Sequence, residues 1–426
     1  MTGRLDRAAS ATAVLFIASM ASFVQSFVLL KLVLLLLFVT MALLSAYQRG
    51  TLTVHPRLVA FYLSLATVGA VWSVMSLVRG GGHLTGVTDA VRLYVVWSMA
   101  YVVLYTLLRS TRSGGLRELH DAMVLAGLVI PVINLVGLFD SAMQMGLVGN
   151  DLRTELDMFI GFGDGYVQIT SQNIGALFFV APYLLALQFR VDAAGLNSRA
   201  TKLALVLSLV IAALSGRRAL WLVIAVTPAL VFGLSVLTGG FSHLRRAGQR
   251  LLVAYLAAGA LMTGVVVATP ENTEGLGYLR HLKRAFSAQD ERSIQRPYLV
   301  EAFKQAPYLG SGFGAPVAYV RTPERPWRYE LTYHQLLFNL GIVGVALLVT
   351  LFASCALLVR GALSASVYGV AVPFALLVGF TSLLVGAVSN PYTGSFDYLF
   401  FVGLLPFLAT FTDGYPLMVS RTAVVR

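Results

Sequence analysis

The residues able to do chemistry in this chain are few, and they cluster. His334 stands where a long polar segment, 269–333, meets an apolar run. Glu330 lies four residues earlier, one turn away if a helix begins early enough. A carboxylate beside an imidazole orients the ring and favours its uptake of a proton. The same segment carries Arg280, Lys283, Arg284, Arg292 and Arg296. A second basic site, Ser215-Gly216-Arg217-Arg218, opens another apolar run. Arginine meets phosphate with a planar two-donor fork and stays charged at any working pH. Arg217 and Arg218 therefore suit an anion site in a cavity, or an interface where both side chains snorkel to lipid headgroups. The loop arginines have a bland alternative, a solvated face beside Asp290 and Glu291, and His334 alone reads equally as an interfacial histidine. Gly310, Gly312 and Gly314 permit turns or close backbone approach. They follow no strand and open no phosphate-binding helix, which excludes a dinucleotide site. No aspartate pair or His/Cys cluster demands a metal.

The elements that position these groups are membrane spans. The chain has 426 residues, 58% hydrophobic and 12% charged, with mean hydropathy +0.79. Soluble domains carry about twice that charged share. Apolar runs long enough to cross a bilayer recur throughout. The pattern predicts an all-α integral membrane protein of about twelve transmembrane helices. They fall at 11–30, 32–47, 58–78, 91–108, 122–139, 172–189, 203–215, 219–237, 251–268, 335–359, 367–388 and 396–411. The break between the first two rests on Ser22, Gln25, Ser26 and Lys31, since 11–47 is too long for one span. Arg4 and Arg7 before an apolar stretch imitate a signal peptide. No small-residue cleavage site leads into a soluble domain, so the stretch reads as a retained first span. Cys355 is the single cysteine and falls in a span, so no intramolecular disulfide forms. No repeat or linker divides the chain, and 1–426 reads as one polytopic domain with 269–333 as its long loop.

Charge orients the spans. With both termini inside, the inner segments hold 16 basic and 5 acidic residues, and the outer segments hold 14 of each. Eleven of the twelve charges in the net +12 thus lie inside, with Lys31 in a span supplying the last, as the positive-inside rule requires. That excess marks topology rather than nucleic-acid binding, and a basic inner face suits anionic membrane lipids. Two outer segments are long, 140–171 and 269–333. Loops of that length without function are uncommon. The stretch 294–304 in the second is amphipathic and reads as a short helix.

The order of these features resembles the bacterial O-antigen ligase and O-antigen (exopolysaccharide) polymerase superfamily. The matching pieces are Ser215-Gly216-Arg217-Arg218, then Asp290-Glu291-Arg292, then Ala306-Pro307-Tyr308-Leu309-Gly310-Ser311-Gly312-Phe313-Gly314. His334 follows, before Leu336-Leu337 and Gly341-Ile342-Val343-Gly344. Gln335 departs from the asparagine usual after that histidine but keeps the amide. The resemblance implies a metal-independent, cofactor-free inverting glycosyltransferase in the bacterial inner membrane, with its site on the periplasmic side. Its donor would be a glycan on undecaprenyl diphosphate, and its acceptor a sugar hydroxyl or lipid A–core. A chain-length regulator is a further partner it implies. Carried over, Arg217, Arg218, Arg284 and Arg292 would bind the diphosphate, His334 would accept the hydroxyl proton, and Glu330 would orient His334. Arg217-Arg218 and Ser389-Asn390-Pro391-Tyr392 look more like the polymerase members than the ligases.

Two other classes compete. A lipid-linked glycan flippase or twelve-span carrier would be built from internal repeats with charges near the bilayer midplane. No repeat is visible, and nearly all ionisable residues fall at span ends. A non-catalytic assembly partner would tolerate replacement of His334 and Arg292.

The topology has a direct test. Cysteines introduced by Ser287→Cys and Ser311→Cys are expected to react with an impermeant thiol reagent on the periplasmic side. Those from Ser198→Cys and Ser242→Cys should react only once the membrane is opened. The reverse labelling pattern would invert the orientation.

Overall fold

The computed structural model describes residues 2–50, 52–163, 166–190, 193, 195, 196, 198–238, 253, 291–365, 370–388, 390, 391 and 394–412. The expected ninth span, 251–268, apart from Val253, and Arg280, Lys283, Arg284 and Asp290 lie outside these residues. Eleven of the twelve expected segments are helical among the described residues. Seven helices are long and apolar enough to cross a membrane. The chain is therefore an all-α, multi-pass membrane protein.

Helix α1 (Thr2–Ser22) is followed by α2 (Val28–Arg49), α3 (Pro56–Arg79) and α4 (Leu84–Arg109). The break between α1 and α2 falls at 23–27, earlier than the expected point beside Lys31. Gln25 and Phe27 adopt left-handed backbone there, with φ 60° and 49°. Lys31 does not end a helix; it is buried inside α2. Local composition accounts for the other ends. Proline opens α3 behind His55, whose Nδ1 accepts the Arg57 amide at 3.3 Å, and Gly80 closes it with φ 66°. Within α4, residues Arg92–Trp97 form a π-helical turn.

Helix α5 (Leu116–Met143) leads into the first long connection. This connection is not a bare loop. It contains a short helix, α6 (Asn150–Glu155), and an antiparallel hairpin of β1 (Phe159–Gly163) and β2 (Tyr166–Thr170), in register from Phe159↔Thr170 to Gly163↔Tyr166. Then come α7 (Gln172–Phe189), α8 (Arg199–Leu214), α9 (Arg218–Leu237) and α10 (Glu291–Gln305). The chain continues through α11 (Thr332–Ala365), α12 (Ala371–Gly386) and α13 (Phe396–Ala409).

Helices α7, α12 and α13 form the centre. Phe178, Phe179, Phe374, Phe400 and Phe401 are fully buried there. A helix apolar on every side belongs in such a position. By contrast, α2 and α11 expose leucines and valines along their length, for example Leu29, Leu36, Leu347 and Val349. Those faces match lipid rather than water.

Helix α11 is broken at Gly341, where φ is 63° and ψ −174°. The break frees the carbonyls of Phe338 and Asn339 and the amides of Ile342 and Val343. The glycine loop 306–314 takes all four. Ser311 N–H donates to Phe338 O and Gly312 N–H to Asn339 O, both at 2.9 Å, while Pro307 O and Tyr308 O accept from Ile342 and Val343 at 2.8 and 3.0 Å. Irregular backbone survives in a membrane protein only when its polar groups are paired in this way. Beyond the break, 342–363 still covers about 33 Å, enough for a bilayer.

Gly310, Gly312 and Gly314 all have left-handed backbone, with φ 66°, 84° and 80°. A Cβ at Gly310 would overlap the Asn339 carbonyl and the Gly341 amide, and one at Gly312 would lie 2.5 Å from Ser76 Cβ. Gly310→Ala is therefore expected to lower unfolding stability by at least about 2 kcal/mol. Gly361→Ala, an exposed helical site with open space around it, should not. Thermal unfolding in detergent separates the two, and an unchanged midpoint for Gly310→Ala would refute the tight pairing.

Candidate functional site

Among the described residues, several connections and helix ends converge at one end of the bundle. The α1–α2 turn, the first turns of α4, the α6–α7 region, the α8–α9 turn, the segment 313–330, the start of α11 and the α12–α13 link together line a cavity of about 450 Å³. The opposite end collects other charges. Asp6 is held there by Arg49 at 3.2 Å and Arg112 at 2.9 Å, and Arg49 donates to Ser110 O at 2.6 Å.

Arg217 lines the cavity and Arg218 does not. The chain turns between α8 and α9 at Gly216, φ 62°, and the Ser215 hydroxyl accepts the Arg217 amide at 3.2 Å. Arg217 thus sits just before the first turn of α9, and its guanidinium donates to Ser171 O at 2.8 Å. Behind Ser171 is a buried amide network. Ser171 Oγ donates toward Asn134 at 2.8 Å, and Asn134 Nδ2 donates to Asn173 Oδ1 at 3.0 Å. No carboxylate pairs with Arg217 among the described residues. Snorkelling is thus not needed to explain its position.

Glu330 does not orient His334. Its carboxylate is clamped between Arg292 Nε at 2.9 Å and an Arg321 terminal nitrogen at 2.7 Å. Its backbone amide donates to Gln295 Oε1 at 3.0 Å. The reason is where α11 begins. Its first residue is Thr332, so Glu330 is outside the helix and no helical turn brings it under His334. Arg292, on α10, holds Glu330 and does not line the cavity. Arg321 also reaches Glu291 at 3.1 Å. Beside this cluster the Tyr319 hydroxyl is pushed above its usual pKa, mainly by burial and then by the charge of Glu291.

His334 is half-buried on the first turn of α11 and does not line the cavity, although Thr332 and Gln335 do. Its ring makes no hydrogen bond among the described residues. Gln335 donates from Nε2 to Trp327 O at 3.0 Å, so the amide after the histidine ties the end of the long segment to α11. The loop glycines serve packing rather than anion capture. Trp72 Nε1 and the Ser76 hydroxyl bind Leu309 O and Phe313 O at 2.8 and 2.6 Å, seating the loop against α3.

Two cavity arginines, Arg321 and Arg328, escaped sequence reasoning, as did Trp327 and Asp157. The signal was present: Arg321, Arg325, Trp327 and Arg328 fall within eight residues of the long polar segment. Burial, and then Arg325 beside it, lowers the Arg328 pKa from its ordinary value, though a guanidinium remains charged. No group of three or more His, Cys, Asp or Glu that could hold a metal occurs among the described residues.

A buried ion pair shapes the remaining wall. Lys31 Nζ meets Asp397 Oδ1 at 2.7 Å with side-chain exposures of 3% and 0%. Asp397 Oδ2 accepts the Gln25 amide at 2.8 Å. Gln25, whose amide binds Asp397, and Tyr398, next to Asp397 in the chain, both line the cavity. No protein-family model matches the sequence, and no curated protein is detectably similar to it.

Removing one partner of a buried pair strands the other charge, at about 3–5 kcal/mol. Lys31→Met is expected to lose stability on that scale, and adding Asp397→Asn should recover most of it, because the amide oxygen still accepts from Gln25. Unfolding of detergent-solubilised protein measures both. A Lys31→Met protein as stable as the parent would show that the pair does not hold the wall.

Proposed function

We propose that the protein is a membrane glycosyltransferase of the lipid-donor kind. It would move a glycan from undecaprenyl diphosphate to a sugar hydroxyl, in polysaccharide or O-antigen polymerisation or in ligation to lipid A–core. The observation that carries this reading is the cavity at one end of the bundle, where Arg217 presents a guanidinium with no carboxylate partner among the described residues. Amide and hydroxyl side chains, Gln172, Thr332, Gln335, Asn339 and Asn390, line the same space, and these suit sugar hydroxyls.

The chemistry follows from the groups. The acceptor oxygen attacks the anomeric carbon from the face opposite the leaving group, and configuration inverts. The bond from that carbon to the phosphate oxygen breaks as the new C–O bond forms. Undecaprenyl diphosphate departs with the electron pair, and Arg217 stabilises its charge as it develops. The hydroxyl proton goes to His334, whose ring has no competing hydrogen bond among the described residues. Its place beside Gln335 requires the acceptor to enter past the first turn of α11. Arg292 acts through Glu330, fixing Arg321, rather than on the diphosphate. Arg218 stands outside the site. The lean to polymerase rests on the resemblance alone.

The reading is tested by glycan transfer with purified protein in proteoliposomes. His334→Ala should slow transfer by about 10²–10⁴-fold, the usual scale for loss of a general base. Arg217→Ala should be severely defective and Arg217→Lys only partly restored, since lysine lacks the fork. Arg218→Ala should stay within a few-fold of the parent. Full activity of Arg217→Ala, or unchanged glycan merely carried across the bilayer, would refute the proposal.

A further inference from the structure

We propose that the cavity has a second oxyanion position at Arg328, and that the glycan it accepts bears a carboxylate or phosphate there. This deepens the transferase reading and rests on it. Arg328 lines the cavity, and its nearest carboxylate, Asp89, is 3.6 Å away, beyond hydrogen-bond length. Asp89 is bound more closely by Arg92, at 2.8 Å, and is shared between the two arginines. The Arg328 side chain is 37% exposed, and with Asp89 no nearer than 3.6 Å its fork remains accessible to an oxyanion in the cavity. The turn that carries it, closed by Arg328 N–H to Arg325 O at 3.0 Å, brings a further positive charge close to Arg328. One carboxylate, Asp89, thus answers both Arg92 and Arg328, with the charge of Arg325 acting on Arg328 as well.

The neighbours of Arg328 favour a sugar-borne anion over a second lipid diphosphate. Trp327 lines the same wall, and its ring lies so close to Gly86 that a Cβ there would be 2.8 Å from it. The Gln335 amide fixes the Trp327 carbonyl, and Asn339 adds a second amide on the adjoining helix. An aromatic face with flanking amides is suited to a pyranose ring. Arg328 next to it is suited to a carboxylate or phosphate on that ring, which a planar fork can grip with two hydrogen bonds.

The test uses the full chain in lipid nanodiscs and follows tryptophan fluorescence, for which Trp327 in the cavity is a reporter. The probes are a glucuronate-containing oligosaccharide, its carboxyl-reduced counterpart, and a phosphate-bearing counterpart. The parent protein should bind the acidic forms at least about tenfold tighter than the reduced one, the scale of one charge-assisted hydrogen bond. Added salt should shrink that preference. Arg328→Gln should erase it while affinity for the reduced form stays unchanged, and Arg328→Lys should restore part of it. Whichever acidic form binds tighter names the source of the oxyanion. Three results would overturn the proposal: no preference in the parent, equal weakening of all three probes by Arg328→Gln, or weakened binding of undecaprenyl diphosphate alone. An acidic saccharide that binds as expected, in a protein that transfers no glycan, would sink the transferase reading and leave the Arg328 position standing.

Discussion

The exchange of backbone hydrogen bonds at Gly341 is the constraint on which the site depends. Breaking α11 there sacrifices two intrahelical bonds, and docking 306–314 replaces them with four between segments. Each of those groups left unpaired in an apolar setting would cost several kcal/mol, so helix and loop must form together. The loop is pinned from the other side by Trp72, Ser76 and the His83 amide, which donates to Gly314 O at 2.9 Å. With both flanks held, the stretch between Gly314 and Thr332 has little freedom. It carries Arg321, Trp327, Arg328 and Glu330 to the cavity.

The charges around the cavity are sorted by the same logic. Carboxylates clamp the arginines that shape the walls, as Glu330 does for Arg292 and Arg321. Arg217 faces the cavity with no carboxylate pair among the described residues, and Arg328 only shares Asp89, at 3.6 Å, with Arg92. Arg217 is aimed by uncharged groups, Ser171 and the Asn134–Asn173 pair behind it. A neutral positioning network leaves the full charge available to a substrate, which a carboxylate partner would not.

Much of the fold was legible from composition. Helices α7 and α12 are predominantly apolar on every side and read as spans because no charged residue interrupts them. The α1–α2 break was mislocated because Lys31 reads as punctuation in a local window. Its partner Asp397 is 366 residues away, and only the folded chain shows the charge to be satisfied. Gly341-Ile342-Val343-Gly344 reads as ordinary apolar helix, and the loop that permits its break is remote in pattern. The hairpin of 159–170 is too short and glycine-rich to give a clear alternation. At the site, Arg217 was legible through its glycine turn, although its advantage over Arg218 was not. Glu330 was assigned to His334 on spacing alone, and the start of α11 at Thr332 removes that geometry.

The central claim is that the lipid diphosphate lies in the cavity against Arg217. A cryo-EM reconstruction of the full chain in nanodiscs with undecaprenyl diphosphate tests it most directly. The account predicts density for the diphosphate within hydrogen-bonding distance of the Arg217 guanidinium, with the lipid tail leaving between helices toward the bilayer. Diphosphate density at the opposite end of the bundle, against Arg49 and Arg112, or an unoccupied cavity at saturating lipid, would contradict it.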